Sequence, residues 1–205
     1  QMLPAPERKT DFFSWEEWGE LVRRVPADVV PILRAALYTA CRIGELTELR
    51  WEQVDLEERR VRIYMRKVGR TKVLMISRAL HDLLSALPKG TPAAYVFTRA
   101  DGRPWDPQSV RAAFLRGKPR AGLTVHSIRH TAASWLAIAG VPLRTIAAIL
   151  GHSMIQMTFR YAHLSPEAVS DAVDVIPEME KGRAGAARRH PDPGQPAISE
   201  GLLPS

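Results

Sequence analysis

Three short stretches of this 205-residue chain carry side chains that could do chemistry together. Tyr161 follows His152 by nine positions in the run Leu150-Gly151-His152-Ser153…Tyr161-Ala162-His163. Upstream lie His126-Ser127-Ile128-Arg129-His130 and Arg42-Ile43-Gly44-Glu45-Leu46. Together they supply a phenol nucleophile, two guanidinium groups and imidazoles, a set able to attack a phosphodiester without a metal ion.

His126 and Arg129 are three positions apart where a helix is expected to begin, so both project from one face near the positive end of its dipole. An arginine there can grip two oxygens of a phosphate, and an imidazole beside it can donate a hydrogen bond or move a proton. Taken alone, the pair also fits a capping histidine beside a surface arginine. His126 and His130 have the i, i+4 spacing of helical zinc ligands, but no glutamate follows the first histidine and Arg129 would oppose a cation between them. No G-x-S-x-G elbow, G-x-x-x-x-G-K-[ST] loop or C-x-x-C pair is present. Glu45, three residues after Arg42, could hold its guanidinium in place. Lys67 sits at the entrance to a basic hairpin turn, and such hairpins ordinarily touch only solvent or a nucleic-acid backbone.

The elements that must position these residues are mostly helical. Ser14-Trp15-Glu16-Glu17 is a capping box, followed at helical spacing by Trp15, Trp18, Leu21, Val22 and Val25. Asp28 is expected to cap a second helix with Val29, Leu33, Ala36, Leu37 and Ala40 inward, whose end delivers Arg42. A third short helix runs through Leu46 and Leu49. From Arg60 the period changes to two, because Val61, Ile63 and Met65 alternate with Arg62, Tyr64 and Arg66. Lys67 to Arg70 separates this run from Thr71 to Ile76, which predicts a hairpin with a basic tip. Ser77 caps a helix bearing Leu80, Leu83, Leu84 and Leu87. Asp106-Pro107 opens another with Val110, Ala113 and Phe114 inward. A helix from near His126 to Gly140 buries Ile128, Ala132, Trp135 and Ala139, and one from Pro142 ends at Gly151. A last amphipathic segment begins at Ser165, and beyond about Gly182 the chain is rich in Gly, Pro, Ala and Arg and is expected to be disordered.

With 45% apolar residues the chain can build one sizeable core. No apolar run approaches the roughly 20 residues needed to span a bilayer, and the polar, proline-containing stretch Gln1 to Asp11 does not read as a signal peptide. Cys41 is the lone cysteine, which excludes an intrachain disulfide and makes the cytoplasm the default compartment. The excess of 29 Lys and Arg over 22 Asp and Glu, a net charge of +7, favours a polyanionic partner.

The constellation is more specific than its parts. The stretch Thr39-Ala40-Cys41-Arg42-Ile43-Gly44-Glu45-Leu46…Leu49-Arg50-Trp51…Val54-Asp55, the box His126-Ser127-Ile128-Arg129-His130-Thr131-Ala132-Ala133-Ser134, and Leu150-Gly151-His152-Ser153…Thr158…Tyr161 occur in an order that resembles the tyrosine recombinase (phage integrase) family. The resemblance covers residues 12 to about 175. It implies an α+β, mainly α catalytic domain with a small antiparallel sheet, acting as a site-specific DNA recombinase that cleaves and rejoins strands through a 3′-phosphotyrosyl link, with neither metal nor ATP.

On that resemblance Tyr161 is the nucleophile, Arg42 and Arg129 hold the nonbridging oxygens, and His126 accepts the phenol proton or donates to the phosphate. His152 is a second donor, and Lys67 protonates the leaving 5′-oxygen. The hairpin also offers Arg70 and Lys72 for that last role; position in the turn selects Lys67. Glu45 orients Arg42, and His130 is read equally as core, cap or catalytic. No cofactor or metal is expected. The partners implied are double-stranded DNA and further copies of the chain in a tetrameric synapse, the protein being a monomer alone. Residues 1–10 read as a linker from an N-terminal DNA-binding domain, 11–178 as the catalytic domain and 179–205 as a tail. Two alternatives remain: a type IB topoisomerase-like relaxing enzyme, and a non-catalytic DNA-binding accessory protein of a mobile element.

Overall fold

The computed structural model of the protein describes residues 11–66, 69–151 and 155–164. The linker at 1–10, the amphipathic segment from Ser165 and the tail lie outside these residues. What is described is a helical body carrying one small sheet.

Helix α1 (Trp15–Arg24) starts as its sequence dictates. Ser14 accepts the Glu17 N–H, and the Glu17 carboxylate accepts the Ser14 N–H at 3.0 Å. Trp18 and Leu21 face the core, but Trp15 is 69% exposed and stacks on Trp135 with ring centroids 3.7 Å apart. The helical period alone put Trp15 on the inner stripe; its ring instead lies flat over a neighbouring helix at the surface.

Helix α2 (Val30–Thr39) is preceded by a 3-10 turn, Ala27–Val29. Asp28 falls inside that turn and does not cap α2: its carboxylate accepts the Ala100 N–H at 3.0 Å, and its carbonyl accepts from the Trp105 indole at 3.2 Å. A distant loop thus competes successfully for a side chain that local sequence assigned to the helix. At its other end α2 stops because Ala40 is left-handed, φ 52° and ψ 21°, a conformation that costs a non-glycine residue about 1–2 kcal/mol. Thr39 steadies the turn, its hydroxyl donating to Ala35 O at 2.6 Å while accepting the Cys41 N–H at 3.2 Å. The reversal turns the chain so that Arg42 becomes the N-cap of α3 (Ile43–Thr47).

The sheet has antiparallel order β1 (Val54–Asp55), β2 (Arg60–Met65), β3 (Arg70–Met75). Val61, Ile63 and Met65 are buried and their neighbours exposed, as period-two reading requires. In β3 the residues opposite Val61 and Ile63 are Leu74 and Lys72, so these two share the inner side while Val73 and Met75 face solvent. A lysine occupies an inward position of the hairpin.

Helices α4 (Arg78–Ser85) and α5 (Pro107–Gly117) are capped by Ser77 and Asp106. Helix α6 (Val125–Ile138) lies against α2 at the centre, burying Ile128, Ala132, Ala133 and Ala137, whereas Ala139, just past its end, is exposed. Helix α7 (Leu143–Leu150) ends at Gly151, whose φ of 67° suits glycine. A ten-residue 3-10 segment, Ile155–Leu164, packs on α6 and α7. No helix among the described residues is long and apolar enough to cross a membrane.

Candidate active site

The N-cap of α3, the first turns of α6 and the 3-10 segment line a cavity of about 530 Å³. Arg42, His126, Arg129 and Tyr161, four residues singled out by their spacing, all line it. Lys67 and His152 lie outside the described residues.

Arg129 is 8% exposed, yet its guanidinium has two backbone partners: Nη1 donates to Ala40 O and Nη2 to Leu150 O, each at 2.7 Å. These carbonyls belong to the left-handed turn before Arg42 and to the last residue of α7. One side chain of α6 therefore ties together the two chain reversals that flank the cavity. Five N–H groups are available to a guanidinium, so donors remain for a ligand.

Arg42 is held independently. Its Nη1 donates to Glu45 Oε1 at 2.9 Å, and its backbone N–H donates to Glu45 Oε2 at 3.0 Å. The Glu45 side chain is only 7% exposed, whereas that of Arg42 is 31% exposed, so the carboxylate is the fixed partner and the guanidinium the presented one. Glu45, read from its spacing as a partner of Arg42, is bonded to it through both carboxylate oxygens.

Tyr161 is 5% exposed, and its hydroxyl lies 2.7 Å from His130 Nδ1. Burial pushes the phenol pKa up, and Arg160 and Arg129 oppose the shift. Burial likewise lowers the pKa of both imidazoles. The cations Arg129 and Arg42 add to the effect on His126, and Arg160 to that on His130, where Asp11 opposes it. His126 stays accessible on the cavity wall, its ring centroid 6.4 Å from that of His130. Arg160 closes one side, its guanidinium carbon 5.8 Å from the Tyr161 ring centre and its Nη2 3.1 Å from Asp11.

Two features escaped the sequence. His130, left undecided among three roles, is the residue that meets the Tyr161 hydroxyl. Lys72 donates from Nζ to Ile149 O at 3.2 Å, joining the hairpin to the C-terminus of α7. Counting back two by two from Ile76 through Leu74 would have placed Lys72 inward. Gly151 completes that junction: a Cβ there would stand 2.9 Å from Met65 Sδ.

The arrangement can bind an oxyanion between two fixed guanidinium groups and present a phenol to it. The phage integrase family matches residues 27–168, and the chain belongs to that family. It is 28% identical over 175 residues to the integrase of Escherichia phage P2, covering 85% of this chain and 49% of that protein. The solved catalytic domain of bacteriophage HP1 integrase is 31% identical with a TM-score of 0.62, over 81% of this chain and 95% of that chain. The Tn1549 transposon integrase, solved in complex with transposon right end DNA, shares the fold at 18% identity and a TM-score of 0.64, over 83% of this chain and 68% of that chain. The chain spans about half the length of the curated relatives it matches.

Proposed function

We propose that this chain is the catalytic domain of a site-specific DNA recombinase, an integrase, that breaks and rejoins strands through a phosphotyrosine. The observation that carries the reading is the placing of the Tyr161 hydroxyl in the cavity lined by Arg42, His126 and Arg129. Tyr161 Oη attacks the scissile phosphorus and the bond to the 5′-oxygen breaks, leaving a 3′-phosphotyrosyl link and a 5′-hydroxyl. Arg42 and Arg129 hold the nonbridging oxygens, already anchored by Glu45 and by two backbone carbonyls, so little reorganisation accompanies the growth of charge. One preorganised donor of this kind is worth roughly 10²–10³ in rate. His126 hydrogen-bonds the phosphate from the cavity wall, His152 is a second donor and Lys67 protonates the 5′-oxygen. The phosphoester bond is conserved in the adduct, so a 5′-hydroxyl from another strand can reverse the step without ATP.

Double-stranded DNA is the partner, which the net charge of +7 favours electrostatically. Assembly on DNA into a tetramer, from a monomer in its absence, and action in the cytoplasm complete the reading. The test is covalent capture: the protein is incubated in EDTA with a pool of nicked duplexes of randomised sequence, and denaturant-resistant adducts are isolated. Recovery of one sequence class joined to Tyr161 supports the reading; adducts on none, with correctly folded protein, refute it.

A further inference from the structure

We propose that His130, rather than His126, is the general base that removes the Tyr161 phenol proton, through Nδ1. The inference deepens the recombinase reading and rests on it for the chemical step, but its geometric half stands without DNA. The hydroxyl of Tyr161 and His130 Nδ1 are 2.7 Å apart, inside the range for direct proton transfer. The Tyr161 hydroxyl is hydrogen-bonded to His130 and not to His126, although both imidazoles line the same cavity.

The roles within that pair follow from the surroundings. Tyr161 is buried and its ionisation suppressed, so the resting side chain is a phenol with one proton to donate. His130 faces Arg160 and Asp11 from outside its helix and His126 and Arg129 from within it, and burial with the cations keeps it neutral. A neutral imidazole that accepts at Nδ1 carries its own proton on Nε2. Binding of a phosphodiester adds negative charge beside the three arginines and lifts the penalty on an imidazolium.

The step balances without a co-reactant. The phenol proton passes to His130 Nδ1, the oxygen lone pair forms the O–P bond, and the P–O5′ bond breaks with its electrons on the 5′-oxygen, which takes a proton from the general acid. On rejoining, the His130 imidazolium returns the proton to the departing Tyr161 oxygen. His126, accessible and without a hydrogen bond to the phenol, is free to face the phosphate.

The experiment has two arms, both on the full chain. Without DNA, imidazole nitrogens are followed by NMR in wild type and Tyr161→Phe; the expected result is an Nε2–H tautomer at His130 whose shifts and titration move when the hydroxyl is removed. A protonated Nδ1, or signals indifferent to Tyr161→Phe, overturns the pairing. With nicked suicide duplexes, first-order adduct formation is timed for His130→Ala, His130→Asn and His126→Ala. Asparagine can keep a hydrogen bond near the Nδ1 position but cannot take a proton. Both His130 variants should slow by about 10²–10⁴-fold. A fluorinated tyrosine of lowered phenol pKa at position 161 should restore tenfold or more of the His130→Asn rate while leaving His126→Ala unimproved. His130→Asn at the wild-type rate, or rescue of His126→Ala instead, overturns the assignment of the base. If wild type itself forms no adduct, the recombinase reading falls, and the NMR arm still decides whether Nδ1 accepts from the phenol.

Discussion

Arg129→Lys separates the structural duty of Arg129 from its part in holding phosphate. The guanidinium spans Ala40 O and Leu150 O at 2.7 Å each in an 8% exposed position. A lysine ammonium has three N–H donors but all on one nitrogen, without the two-pronged reach by which Nη1 and Nη2 span the carbonyls, so at least one carbonyl is expected to be left buried without its partner. Such an orphaned group costs about 1–3 kcal/mol. At about 2–4 °C per kcal/mol for a domain of this size, Arg129→Lys should unfold roughly 2–12 °C below wild type. Arg42→Lys is the control, because among the described residues the Arg42 side chain bonds only Glu45 and it is part exposed; its midpoint should lie within about 2 °C of wild type. The assay is thermal unfolding by circular dichroism. A wild-type midpoint for Arg129→Lys, or an equal loss for Arg42→Lys, would refute the idea that Arg129 fastens the two chain reversals.

Other expectations follow from the same geometry. Gly151→Ala forces a non-glycine residue to φ 67° and sets a Cβ 2.9 Å from Met65 Sδ; it should cost at least about 1–2 kcal/mol, and Met65→Ala should recover part of that in a denaturant double-mutant cycle. Glu45→Gln retains an acceptor for the Arg42 N–H but not the charge that anchors the guanidinium, so adduct formation should slow while unfolding shifts by less than about 1 kcal/mol. Both His126 and His130 have pKa values lowered by burial and nearby cations. The unfolded chain therefore binds their protons first: stability from these groups is complete above an ordinary histidine value of about 6.5 and is lost as pH falls through and below it. Unfolding midpoints at pH 7.5 and 5.5 should converge partly in His126→Gln/His130→Gln; an unchanged pH slope would contradict the shifts.

What the sequence revealed was what neighbouring residues settle. The Ser14–Glu17 box, the Ser77 and Asp106 caps, the alternation of Val61, Ile63 and Met65, and the stop at Gly151 all depend on contacts a few residues apart, and each stands as read. Spacing also brought Arg42, His126, Arg129 and Tyr161 to one cavity before any fold was known. The misses share a cause, which is competition from afar. Asp28 was drawn to Ala100, 72 residues away, and Trp15 left the inner stripe to lie on Trp135. Arg129 reaches a carbonyl 89 residues back, made available by an alanine in a conformation no propensity favours. His130 could not be assigned because its partner, Tyr161, lies 31 positions on, in a 3-10 segment beyond the end of α7.

The central claim is that Tyr161 becomes covalently joined to DNA. Its most direct test is mass spectrometry of the adduct captured in EDTA from a nicked suicide duplex, after proteolysis and nuclease digestion. The account predicts a nucleotide 3′-phosphate on the peptide containing Tyr161, a free 5′-hydroxyl on the released strand, and no adduct from Tyr161→Phe. An adduct at another residue, or one that persists in Tyr161→Phe, would contradict it.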